Sequence, residues 1–135
     1  MMNEPLKVIM AKNLYTISPD EKLSNVLELF KTKRIHHLPV VEDNKLIGLI
    51  TTGDLLWLNK SFDEYDKILV KDVMIKKLAT LEEDDKVGSA AELFLLNRFH
   101  AVPVVDGEKN LLGIVTAFDI LKYEFKKEYP SQMID

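Results

Sequence analysis

Apolar residues recur at i, i+3, i+4 and i+7 in Leu23, Val26, Leu27 and Phe30, and again in Val87, Ala90, Ala91 and Phe94. That spacing predicts two amphipathic helices, each with one stripe turned to a core. Beyond each helix the period shortens. The runs Leu38-Pro39-Val40-Val41 and Leu46-Ile47-Gly48-Leu49-Ile50-Thr51 flank Glu42-Asp43-Asn44-Lys45, a turn composition that predicts an antiparallel hairpin. Pro39 and Pro103 are expected to begin their strands, where a missing N–H is tolerated. A short strand is expected at residues 14–17 and 78–81, and a second helix closes each hairpin. The fold class read from these elements is α/β (α+β), with the order strand-helix-strand-strand-helix occurring twice.

The two halves are copies of each other. A shift of 64 positions places Met10 on Met74, Thr16 on Thr80, Phe30 on Phe94, Arg34 on Arg98 and His36 on His100, and carries Pro39-Val40-Val41 onto Pro103-Val104-Val105. One extra residue in the turn Asp106-Gly107-Glu108-Lys109 makes the shift 65, which matches Gly48 to Gly113, Thr51 to Thr116 and Asp54 to Asp119. A unit of about 50 residues buries its own core poorly, so the copies are expected to pack on each other about a pseudo-twofold. The expected bounds are 1–58 for the first unit, 59–70 for a linker, 71–127 for the second unit and 128–135 for a tail. Phe62, Tyr65, Ile68 and Leu69 mark the linker as ordered, with helix as its expected form. Leu93, Phe94, Leu95 and Leu96 make the second long helix apolar on more than one side. Deeper burial within the monomer and a homodimer seam both account for that pattern.

Composition narrows the classes of function. The chain has 135 residues, 47% of them hydrophobic, enough to fold, and no cysteine, which removes disulfides, thiolate metal sites and a cysteine nucleophile together. With 18 basic against 22 acidic residues the net charge is −4, a poor match to a nucleic-acid backbone. The N-terminus lacks the basic region and apolar run of a signal peptide, and no stretch reaches the roughly 18 apolar residues of a membrane helix. A cytoplasmic protein without membrane or nucleic-acid partners is the expectation. No GxGxxG, P-loop or GxSxG occurs, and no enzyme activity is expected.

Leu-Pro-Val-Val followed by Gly-Leu-Ile-Thr-Thr-Gly-Asp-Leu-Leu in the first copy, and Val-Pro-Val-Val followed by Gly-Ile-Val-Thr-Ala-Phe-Asp-Ile-Leu in the second, resemble the cystathionine β-synthase (CBS) domain. The resemblance covers residues 6–123 in register, and two such units in tandem are similar to a Bateman module. It implies two pseudo-symmetric units packed as a CBS pair, clefts between them that hold an adenosine-containing ligand (AMP, ADP, ATP or S-adenosylmethionine), and association of two modules into a homodimer. The implied role is regulatory, a sensor that acts on an unidentified protein target. A ligand-free dimerisation or protein-interaction module is the alternative.

The resemblance also implies roles for residues. Asp54 and Asp119 would receive the ribose hydroxyls, with Thr51 and Thr116 near ribose or phosphate; a carboxylate can accept from two vicinal hydroxyls at once. The same Thr-x-x-Asp spacing is a helix capping box, which explains it without a ligand. His36, His37 and Arg34, with His100 and Arg98, occupy the segment that often supplies a phosphate-contacting cation, although a helix end suits the arginines and interface hydrogen bonding suits the histidines equally. His37 is matched by Ala101, so the two sites differ chemically. Thr16 and Thr80 would line the adenine end, against apolar walls that include Ile50 and Val115. Adjacent histidines on a strand diverge and no cysteine pair or HExxH is present, which disfavours a zinc site. No cofactor is required, and magnesium would enter only with a nucleotide's phosphates.

Overall fold

A computed structural model describes residues 2–97 and 100–131, so Arg98 lies outside the described residues. The chain divides into two compact units that do not follow the repeat: one is Tyr15–Leu78, and the other joins Met1–Leu14 to Ala79–Asp135.

In the first of these, helix α1 (Leu23–Lys33) leads into strand β1 (His37–Glu42) and antiparallel strand β2 (Lys45–Thr51), followed by helices α2 (Thr52–Leu58) and α3 (Phe62–Tyr65). Asp43 and Asn44 have φ of 52° and 66°, the pair of positive values that a two-residue type I′ hairpin needs and that Asp and Asn tolerate. The expected first strand shrinks to one parallel bridge: the Ile17 N–H donates to the Pro39 carbonyl at 3.0 Å and the Val41 N–H to the Ile17 carbonyl at 3.0 Å. Pro39 is the third residue of β1 and not its first, a correction to the sequence expectation. Its partner Leu49 sends both backbone groups the other way, to Ile75, at 3.0 and 2.8 Å. Pro39 therefore occupies a non-hydrogen-bonded pair, where its missing N–H breaks no ladder bond. The core is Leu23, Val26, Phe30, Leu38, Val40, Ile50, Leu55, Tyr65 and Val70 with Ile17 at its edge. Tyr65 and Val70 show that part of the expected linker is core of this unit.

The second unit repeats the plan with helix α4 (Val87–Asn97), strands β3 (Ala101–Val105) and β4 (Leu111–Thr116), and helix α5 (Ala117–Glu128). Leu81 bridges Val104 as Ile17 bridges Val40, and Pro103 sits third in β3 opposite Ile114. On the outer side of β4, Ile114 exchanges hydrogen bonds with Ala11 at 2.9 and 3.0 Å. Ala11 is the repeat equivalent of Ile75. Each hairpin is thus completed by the N-terminal segment of the other copy.

The exchange extends to the helix starts. The N–H groups of Val87 and Gly88 donate to the carbonyls of Glu4 and Met2, both at 2.8 Å, and Leu23 N–H donates to the Ile68 carbonyl at 2.8 Å. Groups that a helix leaves unpaired at its N-terminus are satisfied by the crossing segments. These segments fit because β2 and β4 carry glycine where they cross. A Cβ on Gly113 would lie 2.8 Å from the Ala11 carbonyl oxygen and 2.8 Å from Met10 Sδ; one on Gly48 would lie 2.5 Å from Met74 Sδ and 3.2 Å from the Ile75 carbonyl oxygen.

Leu95 and Leu96 are 82% and 74% exposed, so the monomer does not bury the second face of α4. Among the described residues no helix is long and apolar enough to cross a membrane.

Gly113→Ala is expected to lower the free energy of unfolding by about 1–3 kcal/mol, because the Ala11 backbone carbonyl stands in the way as well as the flexible Met10 side chain. Gly53→Ala, in α2 with only an ordinary 3.6 Å contact, should be neutral or gain up to about 1 kcal/mol. Urea denaturation of the two variants beside the parent checks both.

Candidate functional site

The same turn closes both hairpins. Thr51 and Thr116 have extended backbone (φ −124° and −112°) and cap α2 and α5. Thr51 N–H donates to Asp54 Oδ2 at 2.8 Å and Asp54 N–H donates to Thr51 Oγ1 at 3.2 Å; the corresponding distances at Thr116 and Asp119 are 2.9 and 3.1 Å. Both Thr-x-x-Asp motifs are therefore complete capping boxes. Each box uses one carboxylate oxygen. Among the described residues Oδ1 of neither aspartate accepts a hydrogen bond, and both aspartates are partly exposed. The second oxygen can accept a hydrogen bond with no loss of the cap.

The histidine segment meets this turn within each unit. Thr52 N–H donates to the His36 carbonyl at 3.1 Å, and Ala117 N–H to the His100 carbonyl at 3.2 Å. His37 pairs with Thr51 in the hairpin register and Ala101 with Thr116. His36 and His100 are exposed and His37 is half-buried. Arg34 ends α1 in the left-handed region with φ 53° and is exposed. Thr16 and Thr80 are exposed too, each preceding the residue that bridges the far edge of its hairpin. Ile50 and Val115 are 0% exposed, with their side chains in the two cores. Strand alternation turns these two residues inward, so they are not exposed apolar walls.

A groove of about 160 Å³ runs beside Asp119 along α5, lined by Val8, Ile9, Asp119, Lys122, Tyr123 and Lys126. Sequence reading missed these lysines, although their spacing held the signal: residues 119, 122 and 126 share one face of a helix. On the same helix Lys127 Nζ lies 2.7 Å from Glu4 Oε1. Its hydrogen bond holds the Glu4 carboxyl below, and the Lys127 ammonium above, their ordinary pKa values. Burial, followed by the Glu4 charge, raises the Tyr123 phenol. No three His, Asp or Glu side chains among the described residues are grouped to hold a metal.

Comparison with known proteins places this geometry in context. The family model of the CBS domain matches residues 6–59 and 70–126. The chain is 37% identical over 128 residues to inosine-5'-monophosphate dehydrogenase of Methanocaldococcus jannaschii, covering 94% of this chain and 24% of the relative. The counterpart from Thermoplasma acidophilum is 35% identical, with 85% and 22% covered. The chain thus spans about a quarter of the length of these relatives. Among solved structures, CBSX2 of Arabidopsis thaliana in complex with AMP superposes with a TM-score of 0.83 at 27% identity, over 93% of this chain and 98% of that one. The CBS domain pair of protein MJ0100, in complex with 5'-methylthioadenosine and S-adenosyl-L-methionine, gives 0.79 at 27% identity, over 91% and 97%.

Thr51→Ala and Thr116→Ala should each cost about 1 kcal/mol of stability through the lost cap. Chemical denaturation of each single variant measures this; an unchanged midpoint would mean the boxes do not form in solution.

Proposed function

The chain belongs to the CBS domain family, and on that premise we propose that it is a regulatory module that binds an adenosine-containing ligand at its strand-to-helix turns and has no catalysis of its own. One observation carries the reading: the capping box recurs at Asp54 and Asp119 and leaves a carboxylate oxygen of each unused. A capped helix needs no second oxygen. A ribose with two vicinal hydroxyls does, because one can donate to Oδ1 while the other shares Oδ2. The complexes of CBSX2 with AMP and of MJ0100 with two adenosine compounds support the class of ligand. The histidine segments bonded to each turn, His36 and His37 in one copy and His100 in the other, offer donors for a phosphate. Magnesium would accompany phosphates only.

Binding regulates something only if the ligand favours one of two arrangements of the chain or of its target. The target is a protein, and the module's relatives suggest how it acts: the chain corresponds to a quarter of much longer dehydrogenases, so it either acts in trans or serves a longer polypeptide.

A second reading has its own support. Leu95 and Leu96 on α4, and Phe118 and Leu121 on α5, are between 61% and 82% exposed, more apolar surface on adjoining helices than a monomer ordinarily shows. A homodimer built on this face is compatible with ligand binding. If no ligand exists, it becomes the function.

Ligand at 100 times its dissociation constant should add about 2.7 kcal/mol to stability, seen as a rise of several degrees in melting temperature with adenosine compounds and none with GTP. Asp54→Asn and Asp119→Asn keep an oxygen for the capping box but replace the second acceptor with a donor. They are expected to change the melting temperature of the free protein little while weakening binding at least tenfold. Equal affinity in parent and double variant would remove the aspartates from the site. Light scattering on Leu95→Glu/Leu96→Glu should show a monomer where the parent is a dimer.

A further inference from the structure

Resting on the adenosine reading, we infer that the two copies differ in ligand class: the second copy's site takes a nucleoside carrying a polyphosphate chain, held by Lys122 and Lys126, whereas the first has no equivalent cations. The observations come from the α5 groove. Asp119, Lys122 and Lys126 line it together with Val8 and Ile9. With a rise of 1.5 Å per residue, the lysines stand about 5 and 11 Å along the axis from Asp119. A ribose on Asp119 with its phosphates directed along α5 meets Lys122 first and Lys126 one turn later. Neither lysine has an ion pair among the described residues, so no carboxylate must be displaced. Among the described residues Asp119, which the ribose would engage, is the acidic residue that lines the groove.

The first copy lacks each part of this arrangement. With the shift of 65, Lys122 corresponds to Trp57 and Lys126 to Ser61. Trp57 is 87% exposed, and α2 stops at Leu58, where Asn59 turns the chain at φ 55°. In the second copy α5 continues to Glu128 and so carries Lys126 on the same face, two turns from its capping box. The longer helix supplies the cations. A short anion on Asp119 reaches one ammonium of this pair and a longer one reaches both.

The test is titration calorimetry of AMP, ADP, ATP and inorganic tripolyphosphate, with and without magnesium, on the full chain carrying Asp54→Asn to silence the first site. ATP should bind at least tenfold more tightly than AMP. Adding Lys122→Gln/Lys126→Gln should weaken ATP at least tenfold, while AMP, whose single phosphate reaches Lys122 alone, weakens less. Lys31→Gln/Lys33→Gln on α1 serves as the charge control and should do nothing. Equal binding of AMP and ATP, or a preference that survives loss of both lysines, overturns the inference and leaves the adenosine reading standing. Lysine-dependent binding of tripolyphosphate without any nucleotide binding overturns the inference of a nucleoside ligand in this groove and keeps the groove as an anion site. Binding of none of the four overturns the inference and leaves the adenosine reading with S-adenosylmethionine alone. A melting temperature of the lysine variant equal to its parent's confirms that the comparison concerns folded protein.

Discussion

Everything in this fold depends on backbone passing close to backbone at Gly48 and Gly113. A hairpin of two strands is marginal by itself. Here each gains a third segment, Ile75 on β2 and Ala11 on β4, through paired hydrogen bonds of 2.8 to 3.0 Å. That approach leaves no room for a Cβ, so glycine in the middle of a strand, ordinarily a weakness, is what the crossing requires. The same crossing segments supply Met2, Glu4 and Ile68 carbonyls to the starts of α4 and α1. Sheet completion and helix capping are one event, performed twice, with the segments exchanged between the copies.

The consequence reaches the candidate site. Completed on its outer edge, each hairpin can end its second strand in a fixed turn, Thr51 to Asp54 or Thr116 to Asp119, to which the His36 or His100 carbonyl is tied. The carboxylates are positioned by the fold through one oxygen, and the other is the one assigned to a ligand in the proposed function. Cap and ligand contact are not rival explanations of these aspartates. The cap orients the acceptor, much as outer hydrogen bonds orient the groups of a preorganised site.

Much of this was legible in the residues themselves. The i, i+3, i+4 periodicity located α1 and α4, Asp43-Asn44 marked the hairpin turn, and the repeat registered Asp54 on Asp119. What the repeat concealed was its own exchange. Matching Met10 to Met74 shows that both segments do the same job, but not which hairpin each one serves, since hydrogen bonding over that distance leaves no local pattern. Pro39 was misplaced for a related reason: whether a proline is tolerated inside a strand depends on which way its partner's amide points, and Leu49 is turned away only because Ile75 is there. Ile50 and Val115 read as walls of a site, and the alternation set by the completed hairpins put them into the cores. Lys122 and Lys126 were visible at helical spacing, yet nothing in the sequence placed Val8 and Ile9 opposite them to form a groove.

Amide hydrogen exchange followed by NMR on the intact chain addresses the exchanged segments most directly. The account predicts that the amides of Ala11, Ile114, Leu49 and Ile75 are protected as strongly as the ladder amides within the two hairpins, because a hairpin and its crossing segment open together. Rapid exchange of these four while the hairpin ladders stay protected would contradict it, and would mean that each hairpin stands without the N-terminal segment of the other copy.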